Sequence, residues 1–161
     1  AVEVGMVLSA LLFIRRVSAT TTVTRVTPGY IADSKVHSMQ DKAIPDDIAI
    51  FRVHGPFLFG STDLLQQVTD HLDTLPPIVA FRLRNMTALD ATGLKALEDA
   101  ADALHASGRH ALFCGARRQP AALMASSGFA AHVGAENICP HFDAALERAA
   151  ALRRQRDAKA G

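Results

Sequence analysis

Three short apolar runs constrain this chain most. Residues 48–53 (Ile-Ala-Ile-Phe-Arg-Val), 78–83 (Ile-Val-Ala-Phe-Arg-Leu) and 109–114 (Arg-His-Ala-Leu-Phe-Cys) are separated by stretches of helical periodicity. Such runs, apolar at nearly every position, are what strands show when helices cover both faces of a sheet. Between the first two, Ser61-Thr62-Asp63 offers capping side chains, and Leu64, Leu65, Val68 and Leu72 follow at helical spacing up to Pro76-Pro77. After the second run, Leu94, Leu97, Ala101 and Leu104 share one helical face as far as Gly108, a good helix stop. A short helix over 119–127, a brief extended piece at 137–139 and a last helix complete the pattern. That last helix, with Pro140 in its first turn, turns Phe142, Ala145, Leu146, Ala149 and Leu152 inward. Strands alternating with helices predict an α/β fold, a small and mostly parallel central sheet flanked by helices.

The chain has 161 residues, enough for one core without disulfides or a structural metal. Its 17 basic and 16 acidic side chains leave a net charge of +1, too little for a global field that would recruit nucleic acid. Cys114 and Cys139 form no CxxC motif and read as buried free thiols. The seven histidines (37, 54, 71, 105, 110, 132 and 141) show no metal-ligand spacing. No nucleophile elbow and no phosphate-binding lysine after a glycine-rich loop is present, so the sequence implies neither an enzyme nor a cofactor.

Residues 6–14 are almost wholly apolar and stop at Arg15-Arg16. A helix hydrophobic on every face is buried or in lipid. This run is shorter than the roughly 20 residues needed to cross a bilayer, so alone it reads equally as a core helix and as the end of a truncated span. In the second reading the paired arginines mark the cytoplasmic side. The expected organisation is therefore a helix end over 1–16 and a connector over 17–45. An edge strand near 37–40 is a candidate within the connector. The folded domain spans 46–152, and a basic flexible tail covers 153–161.

The segment Arg84-Asn85-Met86-Thr87-Ala88 reads as a loop leading into Asp90-Ala91-Thr92-Gly93-Leu94. This last run, after a buried strand and opening a helix, resembles the signature loop of STAS domains. In the anti-sigma-factor antagonists of that family the hydroxyl residue before the glycine accepts a phosphate, and Thr92 occupies that position. Ala91 departs from the pattern, standing where that branch has a serine. The order of strand, Gly55-Pro56, Phe57-Leu58-Phe59-Gly60-Ser61, helix, Pro76-Pro77, strand and signature loop looks more like the STAS domain at the carboxyl end of bacterial SulP transporters. Gly115-Ala116-Arg117 fits as well, and the apolar run ending in Arg15-Arg16 is similar to the end of that family's final membrane helix.

The resemblance implies a regulatory domain on the cytoplasmic side of the inner membrane, attached to a transporter of sulfate, bicarbonate or dicarboxylate. It also implies the membrane domain of the same protein as partner and a homodimer in the full-length protein. A cytoplasmic protein or a nucleotide at the Thr92 loop is a further candidate partner. The alternative is a free-standing antagonist that switches partners on phosphorylation. An enzyme acting on a nucleotide or anion at the loop is a third reading with no base or nucleophile to name.

The candidate site is thus Asp90, Thr92, Gly93 and Leu94, as phosphoacceptor or anion loop. A helix amino terminus would stabilise a phosphate there, and the plainer role is capping by Asp90 or Thr92. Phe57, Leu58 and Phe59 form a candidate docking surface, because three successive large apolar side chains cannot all face one core. The alternative is that all three tuck under the neighbouring loop. The basic cluster 153–159 would either touch anionic lipid or remain solvated.

Overall fold

The computed structural model describes residues 2–26, 44–58, 66 and 68–161. A helix, α1 (Val2–Thr20), leads into β1 (Thr22–Val26), followed by β2 (Ile48–Phe57), a 3-10 turn (Leu72–Thr74) and β3 (Ile78–Leu89). Then come α2 (Ala91–Ala106), β4 (His110–Cys114), α3 (Arg118–Ser126), α4 (Phe129–Val133), a second 3-10 turn (Ala135–Asn137), β5 (Ile138–Cys139) and α5 (Phe142–Ala160). The five strands lie in chain order, with β1 antiparallel to β2 and every other pair parallel. The α/β architecture read from the sequence is the one observed.

Strand alternation explains why the apolar runs are continuous. Ala49, Phe51, Val53, Val79, Phe81, Leu83 and Phe113 face one side, against Leu94, Leu97, Ala100, Ala101 and Leu104 of α2 and Met124 of α3. Phe51, Phe81 and Phe113 stack across neighbouring strands at 5.8 and 5.2 Å, and Phe129 closes the row edge-on at 5.0 Å. Ile48, Ile50, Ile78, Ala80, Leu112 and Cys114 face the other side, against Phe142, Ala145, Ala149 and Leu152 of α5. Leu146 is half-buried at the edge of that second core.

Several segments differ from the sequence reading. Residues 84–88 are not a loop: β3 continues to Leu89 and pairs with β2 as far as Phe57. The polar look of 84–88 hides an irregular alternation in which Arg84 and Thr87 are exposed while Met86 and Leu89 are buried. Register shifts flank His54 and Gly55, and Gly55 takes φ 82°, which carries β2 through Gly-Pro instead of ending there.

In the connector, the described edge strand is β1, and the 37–40 candidate lies outside the described residues. The Ser61-Thr62-Asp63 cap also lies outside them, although Val68 is fully buried as its spacing implies. Pro140 precedes the last helix; His141 is the cap, its Nδ1 accepting from the Ala144 N–H at 3.2 Å. That helix does not fray at 153. It runs to Ala160, because Arg153 donates two hydrogen bonds, of 2.6 and 2.7 Å, to the Asp47 carboxylate at the entrance of β2.

Gly108 ends α2 as read. With φ 77°, its N–H donates to the His105 carbonyl while the Arg109 N–H returns to Leu104.

Candidate functional site

The Asp90–Leu94 segment is where β3 turns into α2. Asp90 is extended (φ −113°, ψ 179°) and caps the helix, its Oδ1 accepting from the Gly93 N–H at 2.8 Å. The Leu94 N–H closes the first intrahelical bond onto the Asp90 carbonyl at 2.9 Å. Capping is therefore done by Asp90, which leaves the Thr92 side chain exposed on the outer face of the first turn. A phosphate added there would meet the positive end of a 16-residue helix.

Gly93 and Leu94 do not face solvent. Leu94 is a core residue at 6% exposure. Gly93 lies against the end of β2, and a Cβ built on it would fall 2.3 Å from the Phe57 carbonyl oxygen and 2.8 Å from Phe57 Cδ1. The glycine of the motif is thus demanded by close packing of α2 on β2. Of the four residues, Thr92 carries the one exposed side chain, with the half-buried Asp90 holding the turn beneath it.

The proposed docking surface is corrected by the same contact. Phe57 is fully buried beneath Gly93 and Leu89, so it takes no part in an exposed patch. Leu58 is half-buried, and Phe59 lies outside the described residues.

Gln119, which the sequence reading passed over, completes the loop. β4 ends at Cys114, so among the described residues no strand flanks 84–89 on that side. Gln119, in the first turn of α3, substitutes for one: its Oε1 accepts from the Leu89 N–H at 2.9 Å and its Nε2 donates to the Leu89 carbonyl at 2.8 Å. Arg117 Nε likewise donates to the Arg84 carbonyl at 2.7 Å. These two side chains pin the strand end from which Asp90 and Thr92 project. The only sequence signal was position, a polar residue just past the third strand.

Among the described residues no three His, Cys, Asp or Glu side chains gather as a metal site. His132 and Asp102 form a surface pair at 2.8 Å. Cys114 and Cys139 are register partners on β4 and β5, and burial pushes the Cys114 thiol up to about 12. It stays protonated and inert at neutral pH.

Comparison with known proteins agrees with this geometry. The family model described as STAS domain matches residues 40–145. A curated relative from Bacillus subtilis, named "Putative sulfate transporter YvdB", is 22% identical over 143 residues, which are 88% of this chain. The chain spans about a quarter of that protein, 26% of its length. The crystal structure of a sulfate transporter family protein from Wolinella succinogenes superposes with a TM-score of 0.65 at 29% identity, over 72% of this chain and 95% of that one. The SulP transporter STAS domain from Vibrio cholerae does so with a TM-score of 0.59 at 26% identity, over 74% and 93%.

Proposed function

Because the chain belongs to the STAS domain family, we propose that it serves as the cytoplasmic regulatory and interaction domain of a SulP-type anion transporter. The observation that carries this reading is α1. Its apolar side chains are exposed on every face, from 42% at Ile14 to 78% at Val2. A helix of a water-soluble domain hides such a surface.

Among the described residues no helix is long and apolar enough to cross a membrane. The apolar run 6–14 covers nine residues, about 13 Å of helix against a hydrocarbon core of about 30 Å. We read α1 as the terminal part of a span whose remainder belongs to the membrane domain, with Arg15 and Arg16 at the cytoplasmic headgroups. Sulfate is the anion this reading favours, since the relatives with matching domains carry sulfate transporters in their names.

The attachment point supports a regulatory role for the Thr92 turn. β1 starts beside the carboxyl end of β2, with Thr22 opposite His54 and the Thr21 hydroxyl donating to the Pro56 carbonyl. α1 therefore joins the sheet at the end where α2 begins, so charge added on Thr92 would be close to the membrane domain. A phosphate there adds nearly two negative charges. A protein or a nucleotide docking at the turn would act from the same place.

Two measurements test the reading. The 161-residue chain should co-float with lipid vesicles, and Leu8→Lys with Leu12→Lys should abolish this without loss of fold, since both side chains are exposed. In the full-length protein, sulfate uptake should respond oppositely to Thr92→Ala and Thr92→Glu. Uptake indifferent to both would reduce Thr92 to a surface position of the helix.

A further inference from the structure

The second core contains two arginines that its apolar character does not explain. Arg52 and Arg82 are register partners on β2 and β3, each 8% exposed. Arg82 packs over the Phe142 ring, its Cζ 5.5 Å from the centroid, which fixes the guanidinium at the amino-terminal end of α5. Beside it opens a cavity of about 320 Å³, bordered by Arg82, Arg84, Gly115, His141 and Asp143. The cavity sits at the carboxyl ends of parallel strands, where open α/β sheets take their ligands. It lies on the α5 face of the sheet, whereas Thr92 belongs to the α2 side.

The surroundings favour negative charge. The Arg84 stem lies over Gly115, where a built Cβ would be only 3.6 Å from Arg84 Cβ. Arg117 is held against the same strand by its bond to the Arg84 carbonyl. His141 uses Nδ1 to accept from Ala144, so its ring proton sits on Nε2 as a donor. Among the described residues Asp143 is the one acid bordering the cavity, against two arginines. Burial first, then Arg52 and more weakly Arg84, hold the Arg82 guanidinium below its ordinary range.

We propose that this cavity binds a small tetrahedral oxyanion, sulfate or phosphate, through Arg84 and Arg82 at the amino-terminal end of α5. Planar guanidinium groups match such oxygens in pairs, and the helix end adds a favourable field. The site is distinct from the Thr92 turn, and its existence does not depend on the transporter reading.

The test is calorimetric titration of the 161-residue chain with sodium sulfate and, separately, sodium phosphate, each against sodium chloride at matched ionic strength. Saturable binding of sulfate or phosphate above the chloride control is expected, and the stronger of the two identifies the preferred anion. Arg84→Gln, at an exposed position that leaves the fold intact, should weaken binding about tenfold or more. Thr92→Ala should leave it unchanged. Heats no different from chloride, an unaltered affinity in Arg84→Gln, or a loss in Thr92→Ala instead would each overturn the proposal.

Discussion

Replacing Gly93 with alanine tests whether the signature glycine is there for packing or for a ligand. The new methyl group would start 2.3 Å from the Phe57 carbonyl oxygen and 2.8 Å from the Phe57 ring, with Leu89 Cδ1 at 3.0 Å. A comfortable contact needs about 3.5 Å, so α2 would have to retreat by about 1 Å. The carbonyl belongs to a paired strand and cannot swing away, so the helix moves or the strand end distorts. Retreat loosens Leu94, Leu97, Ala101 and Leu104 against the sheet.

Overpacking of this kind costs about 1–3 kcal/mol or more, while alanine's helix propensity returns up to about 1 kcal/mol. Because the clash is with a backbone carbonyl, the cost falls at the upper end of that range and leaves a net loss of about 2 kcal/mol, roughly 5–10 °C in Tm for a domain of this size. Urea and thermal unfolding, followed by circular dichroism, measure it. A variant within about 0.5 kcal/mol of the parent, the usual range of surface substitutions, would refute the packing argument and return Gly93 to a role in ligand binding.

Gln119→Ala leaves both backbone groups of the buried Leu89 without their partner and should cost about 1–3 kcal/mol in the same unfolding assay; no measurable loss would mean that the strand end needs no support. Cys114 should react with Ellman's reagent at pH 8 only as the chain unfolds in urea, since burial pushes its thiol up to about 12. Rapid labelling of both cysteines in the native state would refute this. By linkage, the unfolded thiol ionises near 9 and the folded one only near 12. Stability present below pH 9 is therefore lost as pH rises toward 12, which alkaline unfolding midpoints of the parent and Cys114→Ala would compare.

How much was legible depended on whether the cause of a feature lay near it in the chain. The runs 48–53, 78–83 and 109–114 announce strands because both faces of the sheet are covered, and Gly108 announces a helix end because its backbone must turn left-handed. The Asp90 cap was readable because its bond reaches three residues along. The outer half of β3 was not, since its alternation is broken by the shifts in register with β2. Nor was the continuation of α5, which rests on an ion pair between Arg153 and Asp47, 106 residues apart. Gln119 belongs with these, its role set by a strand end 30 residues away. An arginine inside each of two apolar runs was visible throughout, and only the sheet register shows that the two stand side by side.

That register gives the molecule a polarity. β1 enters beside His54, α2 starts at Ala91 after β3, and α5 starts at Phe142 after β5, so all three meet the carboxyl end of the parallel strands. Among the described residues the amino-terminal ends of the strands lack such features; Asp47 and Arg153 form an ion pair at that end. Thr92 on one face and the Arg82–Arg84 cavity on the other therefore share the end to which α1 is joined. An anion in the cavity draws on the field of α5, and a phosphate on Thr92 draws on that of α2. The two sites are separated by the thickness of the sheet, and their charges would act on whatever α1 attaches to from opposite sides. If sulfate binding in the cavity and modification of Thr92 bias the same attachment, Thr92→Glu and Arg84→Gln should combine additively in uptake by the full-length protein. A strongly non-additive double variant would instead show that the sheet transmits one site's charge to the other.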